Sequence, residues 1–153
     1  MSRAFVREGD GSEPLPERTI SPHPNLVTAH GLAVLEARVR GLEGERAAAR
    51  AASDQALTER VERDLRYFST RRASARVIPP GSATDKVRFG MKVTLATHSG
   101  EQVAFRLVGE DEADAAQGLL SWVSPLAQTL LGREPGEAVQ FQGGEAEIVS
   151  IEP

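Results

Sequence analysis

The chain contains no cysteine. A disulfide framework, a zinc–thiolate site and a cysteine nucleophile are excluded together, and such a composition fits a reducing compartment. Aromatic residues are scarce as well, with one tryptophan, one tyrosine and five phenylalanines in 153 residues. No apolar run approaches the roughly 20 residues that span a bilayer, so no membrane partner is expected. Residues Met1 to Asp10 carry charges where a secretory signal would hold an apolar core. Cytoplasmic residence is the expectation. His23, His30 and His98 have no ligand or triad spacing, and Gly143-Gly144 lacks the lysine and helix of a phosphate loop. No carrier for stand-alone enzyme chemistry is visible, and no metal site or cofactor of the chain's own.

What is present divides by charge. Residues 36–76 hold ten arginines against seven acids, while residues 77–153 hold five lysines or arginines against eleven acids. A basic front unit on an acidic back unit suggests two different contact surfaces; the simpler reading is that helices collect arginine as a good helix former.

The pattern along the chain gives three parts. Residues 1–27 contain Pro14, Pro16, Pro22 and Pro24 and little apolar surface, which reads as an extended or disordered tail. Residues 28–78 read as an antiparallel α-helical hairpin. Thr28 is a plausible N-cap, and Leu32, Leu35, Val39 and Leu42 follow at coiled-coil steps. Ser53-Asp54 supplies a turn and a second N-cap before Leu57, Val61, Leu65 and Phe68 repeat the seam. About 20 residues per arm gives a hairpin on the order of 30 Å long. The alternative is one continuous helix that self-associates; the short connection favours a hairpin and a monomer. Pro79-Pro80-Gly81 then marks a boundary.

In residues 79–153 the period changes to alternation. Val87, Phe89, Met91, Val93 and Leu95 share one face, and Val103, Phe105 and Leu107 form the return strand. Ser124-Pro125 opens a short helix over Leu126 to Leu131, with Gly132 as its left-handed cap. Val139 and Phe141 begin a further strand, and Ala146, Ile148 and Ile151 mark the last, with the period slipping near Val149. The fold class expected is α+β: a helical hairpin followed by an antiparallel β-sheet domain carrying one short helix.

Several stretches together resemble one family. Val108-Gly109-Glu110-Asp111-Glu112-Ala113-Asp114, Ser121-Trp122-Val123-Ser124-Pro125-Leu126-Ala127, and Leu130-Leu131-Gly132-Arg133 with Pro135-Gly136-Glu137 are similar to the C-terminal domain of the bacterial GreA/GreB transcript-cleavage factors. Thr28-Ala29-His30-Gly31-Leu32 resembles the start of their coiled coil. Met1 to Val6 and Ser21-Pro22-His23-Pro24-Asn25 resemble the tail of the GreB branch. The resemblance implies an FKBP-like C-terminal domain that docks on RNA polymerase at the rim of its secondary channel. It also implies a hairpin that enters the channel, with a tip whose paired carboxylates help hold a shared Mg²⁺ of the polymerase active centre.

The tip departs from that pattern. The family's Gly-Asp-x-x-Glu-Asn-Ala-Glu-Tyr motif is missing, the arms are shorter, and Leu57 stands where the glutamate belongs. Asp54 and Glu59 are the remaining carboxylate candidates. Asp54 has a second reading as an N-cap, and Glu59 and Glu62 have one as members of a solvated ion-pair face with Arg63 and Arg66. Arg46, Arg50, Arg60 and Arg63 are candidates for contact with the channel or the nascent RNA 3′ end, against a plain solubilising role. Asp111, Glu112, Ser121, Trp122, Ser124, Pro125 and Leu126 are the candidate polymerase contacts, with Trp122 readable either as anchor or as core. A Gre-type elongation factor follows, either cleavage-stimulating or a non-cleaving competitor for the channel. The other function class such a scaffold hosts is peptidyl-prolyl isomerisation, which needs an aromatic-rich apolar pocket.

Overall fold

The computed structural model describes residues 13–82 and 85–153. The similarity noted at Met1 to Val6 lies outside the described residues. The order of elements is β1 (Leu26–Val27), α1 (Ala29–Ala51), α2 (Gln55–Ser74), β2 (Arg76–Val77), β3 (Lys92–Thr97), β4 (Gln102–Val108), β5 (Leu119–Ser121), α3 (Pro125–Leu130), β6 (Ala138–Phe141) and β7 (Gly144–Glu152).

The hairpin forms for the reasons its sequence states. The Thr28 hydroxyl accepts the Gly31 N–H at 2.9 Å, and the Asp54 carboxylate accepts the Leu57 N–H at 3.0 Å, so each arm starts on a side-chain cap. Ser53 takes the left-handed conformation (φ 53°) that reverses the chain within three residues. Val39 and Leu42 of α1 meet Val61 and Leu65 of α2, with Leu57 and Phe68 packed against them. The seam is thus filled from within the chain, which answers the continuous-helix alternative. Full burial of such side chains contributes about 1.5–3 kcal/mol each.

The second layer is a five-stranded sheet in the order β5-β4-β3-β7-β6. It is antiparallel as expected, except that β5 runs parallel to β4, with Arg106, Leu107 and Val108 opposite Leu119, Leu120 and Ser121. A 3₁₀ turn at Ala115–Gln117 and Gly118 at φ 69° bring the chain back for that pairing. Strand β3 begins only at Lys92, because Gly90 at φ 84° breaks the alternation that starts at Val87. Val87 and Met91 are buried all the same. The slip near Val149 is a bulge: Thr94 pairs with Ser150 and Leu95 with Ile148, leaving Val149 unpaired and exposed. Helix α3 is capped by Ser124 and closes one face over Val93, Leu95, Leu107, Val139 and Ile148.

Two features lie beyond the expected outline. Leu26–Val27 and Arg76–Val77 form a two-stranded parallel pair at the root of the hairpin. Residues 13–25 have no regular secondary structure; Glu17, Arg18 and Asn25 reach α2 through side chains described below.

Candidate functional site

Three regions hold the residues singled out by sequence. The first is the hairpin tip. Asp54 Oδ1 caps α2, Glu59 accepts from the Gln55 side chain at 3.2 Å, and Glu62 pairs with Arg50 at 2.5 Å. Arg63 is drawn to Asp64 at 3.5 Å. Among the described residues no ion-pair partner stands opposite Arg46 or Arg60, so these two are the basic side chains the tip region leaves on offer. Arg46 lines a groove with Glu43, Glu62 and Arg66. Asp54 and Glu59 do not converge as a metal-holding pair would, since one caps the helix and the other points along it. Among the described residues no group of three or more His, Asp or Glu side chains could hold a metal ion.

The second region is the corner between β5 and α3. Ser121, Trp122, Ser124, Pro125 and Leu126 are brought together there. The Trp122 N–H donates to Val108 O at 2.9 Å and its carbonyl accepts from Gln128 Nε2 at 2.7 Å, which fixes the backbone of the corner. The Ser124 hydroxyl accepts from Ala127 N, and exposed Pro125 occupies the first helical turn, where its missing N–H costs nothing. Leu126 lines a shallow groove of ≈350 Å³ with Thr129, Gln140 and Phe141. Trp122 is neither a free anchor nor full core. It is half-buried, and His23 meets its ring edge-on at 6.1 Å between centroids.

The third region is the root of the hairpin, where the structure places Asp111 and Glu112. Both carboxylates are engaged within the chain. Asp111 Oδ2 accepts from Arg71 Nε at 2.6 Å and Oδ1 from the Tyr67 hydroxyl at 2.7 Å. Glu112 Oε2 accepts from the Thr28 hydroxyl at 2.7 Å. Arg71 also donates to Asn25 Oδ1 at 2.8 Å and lies 3.4 Å from Glu110, while Asn25 Nδ2 donates to Arg71 O at 2.7 Å. These acids fasten the hairpin to the β domain.

Arg71, Asn25 and Tyr67 were not singled out by sequence, although one signal was available. Arg71 falls three positions after Phe68, where the seam would place an apolar residue, so a cation there implies a buried acid. The electrostatics follow from this packing. Burial alone would lower the Arg71 guanidinium, but the hydrogen bond and charge of Asp111 outweigh it and hold the group above its ordinary value. Tyr67 is pushed up to about 12, first by burial and then by its bond to Asp111.

A phenol whose folded value lies above the unfolded one gives stability that is complete below about pH 10 and disappears as pH rises through about 12. Tyr67 is the only tyrosine, so tyrosinate absorbance reports it alone. Its titration midpoint is expected near 12 and should move back towards the ordinary value of about 10 in Asp111→Asn. A midpoint at the ordinary value in the unaltered protein would contradict the junction geometry.

The isomerase alternative finds no support. A cavity of ≈470 Å³ lies at the hairpin root, lined by residues such as His30, Ile78, Pro79, Arg106 and Leu119, with no Phe, Tyr or Trp. Phe105 and Phe141 are spent on each other, edge to face at 5.8 Å, and on the sheet core.

Comparison with known proteins identifies the family. Residues 82–153 match the family model described as "Transcription elongation factor, GreA/GreB, C-term". The transcription elongation factor GreA of Alkalilimnicola ehrlichii is 41% identical over 125 residues, covering 78% of each chain. The GreB of Neisseria meningitidis serogroup B is 37% identical over 98 residues, covering 60% of each. A solved GreA/GreB elongation factor from Nitrosomonas europaea aligns over 84% of this chain and 98% of its own at 19% identity, with a TM-score of 0.42. The extended similarity to GreA runs through both the hairpin and the sheet domain, and the chain belongs to the GreA/GreB family of transcription elongation factors.

Proposed function

We propose that the β domain docks on RNA polymerase at the rim of its secondary channel through the β5–α3 corner, and that the hairpin then occupies the channel without stimulating RNA cleavage. The observation that carries the second half is the tip. Cleavage assistance needs carboxylates free to complete a metal site that the polymerase owns. Here Asp54 spends one carboxylate oxygen on the α2 cap, Leu57 stands where the second acid is needed, and Glu62 is paired with Arg50. The residues present do not fit a shared Mg²⁺, so no step is routed through one.

In this reading the factor is not itself an enzyme. It brings no metal or cofactor, acts as a cytoplasmic monomer, and modulates stalled or backtracked complexes by competing with other channel factors. The β5–α3 corner supplies the contacts: Pro125 and the Leu126 groove are accessible, and Ser121 and Ser124 shape the loop that presents them. Arg46 and Arg60 are the hairpin cations placed to meet the acidic channel wall or the nascent RNA 3′ end.

A backtracked elongation complex tests the proposal. Added alone, the protein is expected to bind the polymerase and to release no short 3′ RNA fragments above the intrinsic rate. Added in excess with a cleavage-competent Gre factor, it is expected to suppress that factor's activity by at least about tenfold. Prompt fragment release would overturn the non-cleaving reading, and its loss in Asp54→Ala would assign the carboxylate. Failure to bind polymerase would overturn the docking reading itself.

A further inference from the structure

Residues 17–25 touch α2 at Glu17, Arg18 and Asn25 and the β domain at His23. The Glu17 carboxylate takes a fork from Arg66, at 3.0 Å from Nε and 2.6 Å from a terminal nitrogen. The Arg18 guanidinium stacks over the Tyr67 ring at 3.9 Å and reaches Asp64 at 3.4 Å. His23 sits edge-on to Trp122 of the β domain. Asn25, 6% exposed, closes the series at Arg71 and Ser74. The segment therefore grips the middle of the hairpin, its root, and the corner assigned to docking.

A lone exposed ion pair would hold little. Several attachments along one short segment are different, because each raises the effective concentration of the next. Pro14, Pro16, Pro22 and Pro24 restrict the free segment to extended conformations, which lowers the entropy lost when it lies down. The Arg66 fork also holds the Glu17 carboxyl below its ordinary range, so the pair persists to more acidic pH than an unpaired glutamate would allow. Leverage makes the angle matter. An arm of α1's length extends about 34 Å, so a tilt of about 10° at the root displaces the tip by about 6 Å.

We propose that residues 17–25 are a strut, and that Glu17, Arg18 and His23 are positioning residues that fix the angle between the hairpin and the β domain and so set where the tip lies once the β domain is docked. The structural half stands on the contacts alone; the consequence for the tip rests on the polymerase reading above.

The absence of native cysteine allows two to be introduced at exposed positions, Ala51→Cys beside the tip and Glu147→Cys on β7, for spin labelling of the full chain. Double electron–electron resonance should then give one narrow distance. Glu17→Arg, which sets like charges against Arg66, should broaden that distribution by about twofold or more, and adding Arg66→Glu should narrow it again. Circular dichroism of each variant confirms that the helices are intact. An unchanged width in Glu17→Arg overturns the strut, as does a broadening that the reversed pair fails to correct.

A purely structural role would not produce the second readout. In Glu17→Arg the affinity for RNA polymerase should stay within about twofold, while protection of a label at Ala51→Cys from a soluble quencher in the polymerase complex falls about threefold or more. Parallel losses in both would overturn the positioning role. If the unaltered protein does not bind polymerase, the docking reading fails, and the distance measurement still judges the strut by itself.

Discussion

Asp111→Ala is expected to lower the unfolding free energy by about 3–5 kcal/mol, the cost of leaving a buried charge without its partner. The Arg71 side chain is 2% exposed and that of Asp111 9%, so solvent cannot replace the lost carboxylate without opening the root of the hairpin. Two bonds disappear at once, from Arg71 Nε and from the Tyr67 hydroxyl. Glu110 stands 3.4 Å from a second Arg71 nitrogen and should hold the loss near the lower end of that range. Asp111→Asn keeps an acceptor but loses the charge, and should cost about half as much. Denaturant unfolding of the full chain measures both.

The same substitution carries a more specific signature. Arg71 joins α2, the segment before β1 and the loop after β4, so its failure should uncouple the hairpin from the sheet rather than weaken both together. The single cooperative transition should split, with helical signal lost before the fluorescence of Trp122 changes. Replacing both members by apolar residues, Arg71→Met with Asp111→Leu, should destabilise less than Asp111→Ala alone. A loss under about 1 kcal/mol for Asp111→Ala would show that Glu110 and Asn25 satisfy the guanidinium unaided, and would remove Asp111 from the role assigned to it.

How far the sequence carried the fold depends on the range of the interaction involved. Thr28 and Asp54 were legible as caps because a cap is chosen by residues three positions away, and both accept the N–H expected of them. The seam Leu35, Val39, Leu42, Val61, Leu65 was legible because its period is local. So were Ser124-Pro125 before α3 and the slip at Val149, where a change of phase marks the bulge. Strand β1 was not legible. Two residues have no period, and the pairing of Leu26 with Arg76 spans the whole hairpin. Nor was the parallel pairing of β5, which depends on how Gly109 to Gly118 fold back.

The candidate site divides the same way. The β5–α3 corner is one contiguous stretch and could be read from its motif. The root is assembled from Asn25, Arg71 and Asp111, which lie about forty residues apart in the chain. A motif that includes Glu110-Asp111-Glu112 invites a partner reading, and only the three-dimensional neighbours reveal that the acids are already engaged. The tip was legible in what it lacks: the missing glutamate at Leu57 was visible, while the pairing of Arg50 with Glu62 across the turn was not.

Gly109→Ala is expected to be the other severe substitution, at about 3 kcal/mol or more, although it adds a single methyl group. A Cβ built on Gly109 would be driven into the Leu26 carbonyl oxygen, with Leu26 C and Val27 Cα both 3.5 Å away. All three are backbone atoms of β1, which is itself tied to β2 through Arg76 N to Asn25 O at 2.8 Å and Ile78 N to Val27 O at 2.9 Å. No rotamer can relieve the contact; β1 must lift from the β domain, taking Asn25 and the Arg71 cluster with it.

Gly31→Ala is the control that separates crowding from loss of glycine as such. Its Cβ would meet Glu112 Oε2 at 2.6 Å, the end of a flexible side chain that can turn away at the expense of the Thr28 bond. Alanine also recovers up to about 1 kcal/mol of helix propensity at a position inside the first turn of α1. The net change at Gly31 should stay within about 1 kcal/mol of zero. Thermal and denaturant unfolding of the two variants therefore should rank them far apart. Equal effects would mean that the close approach of β1 to Gly109 does not govern how the hairpin is seated, and the root would then hold through Arg71 alone.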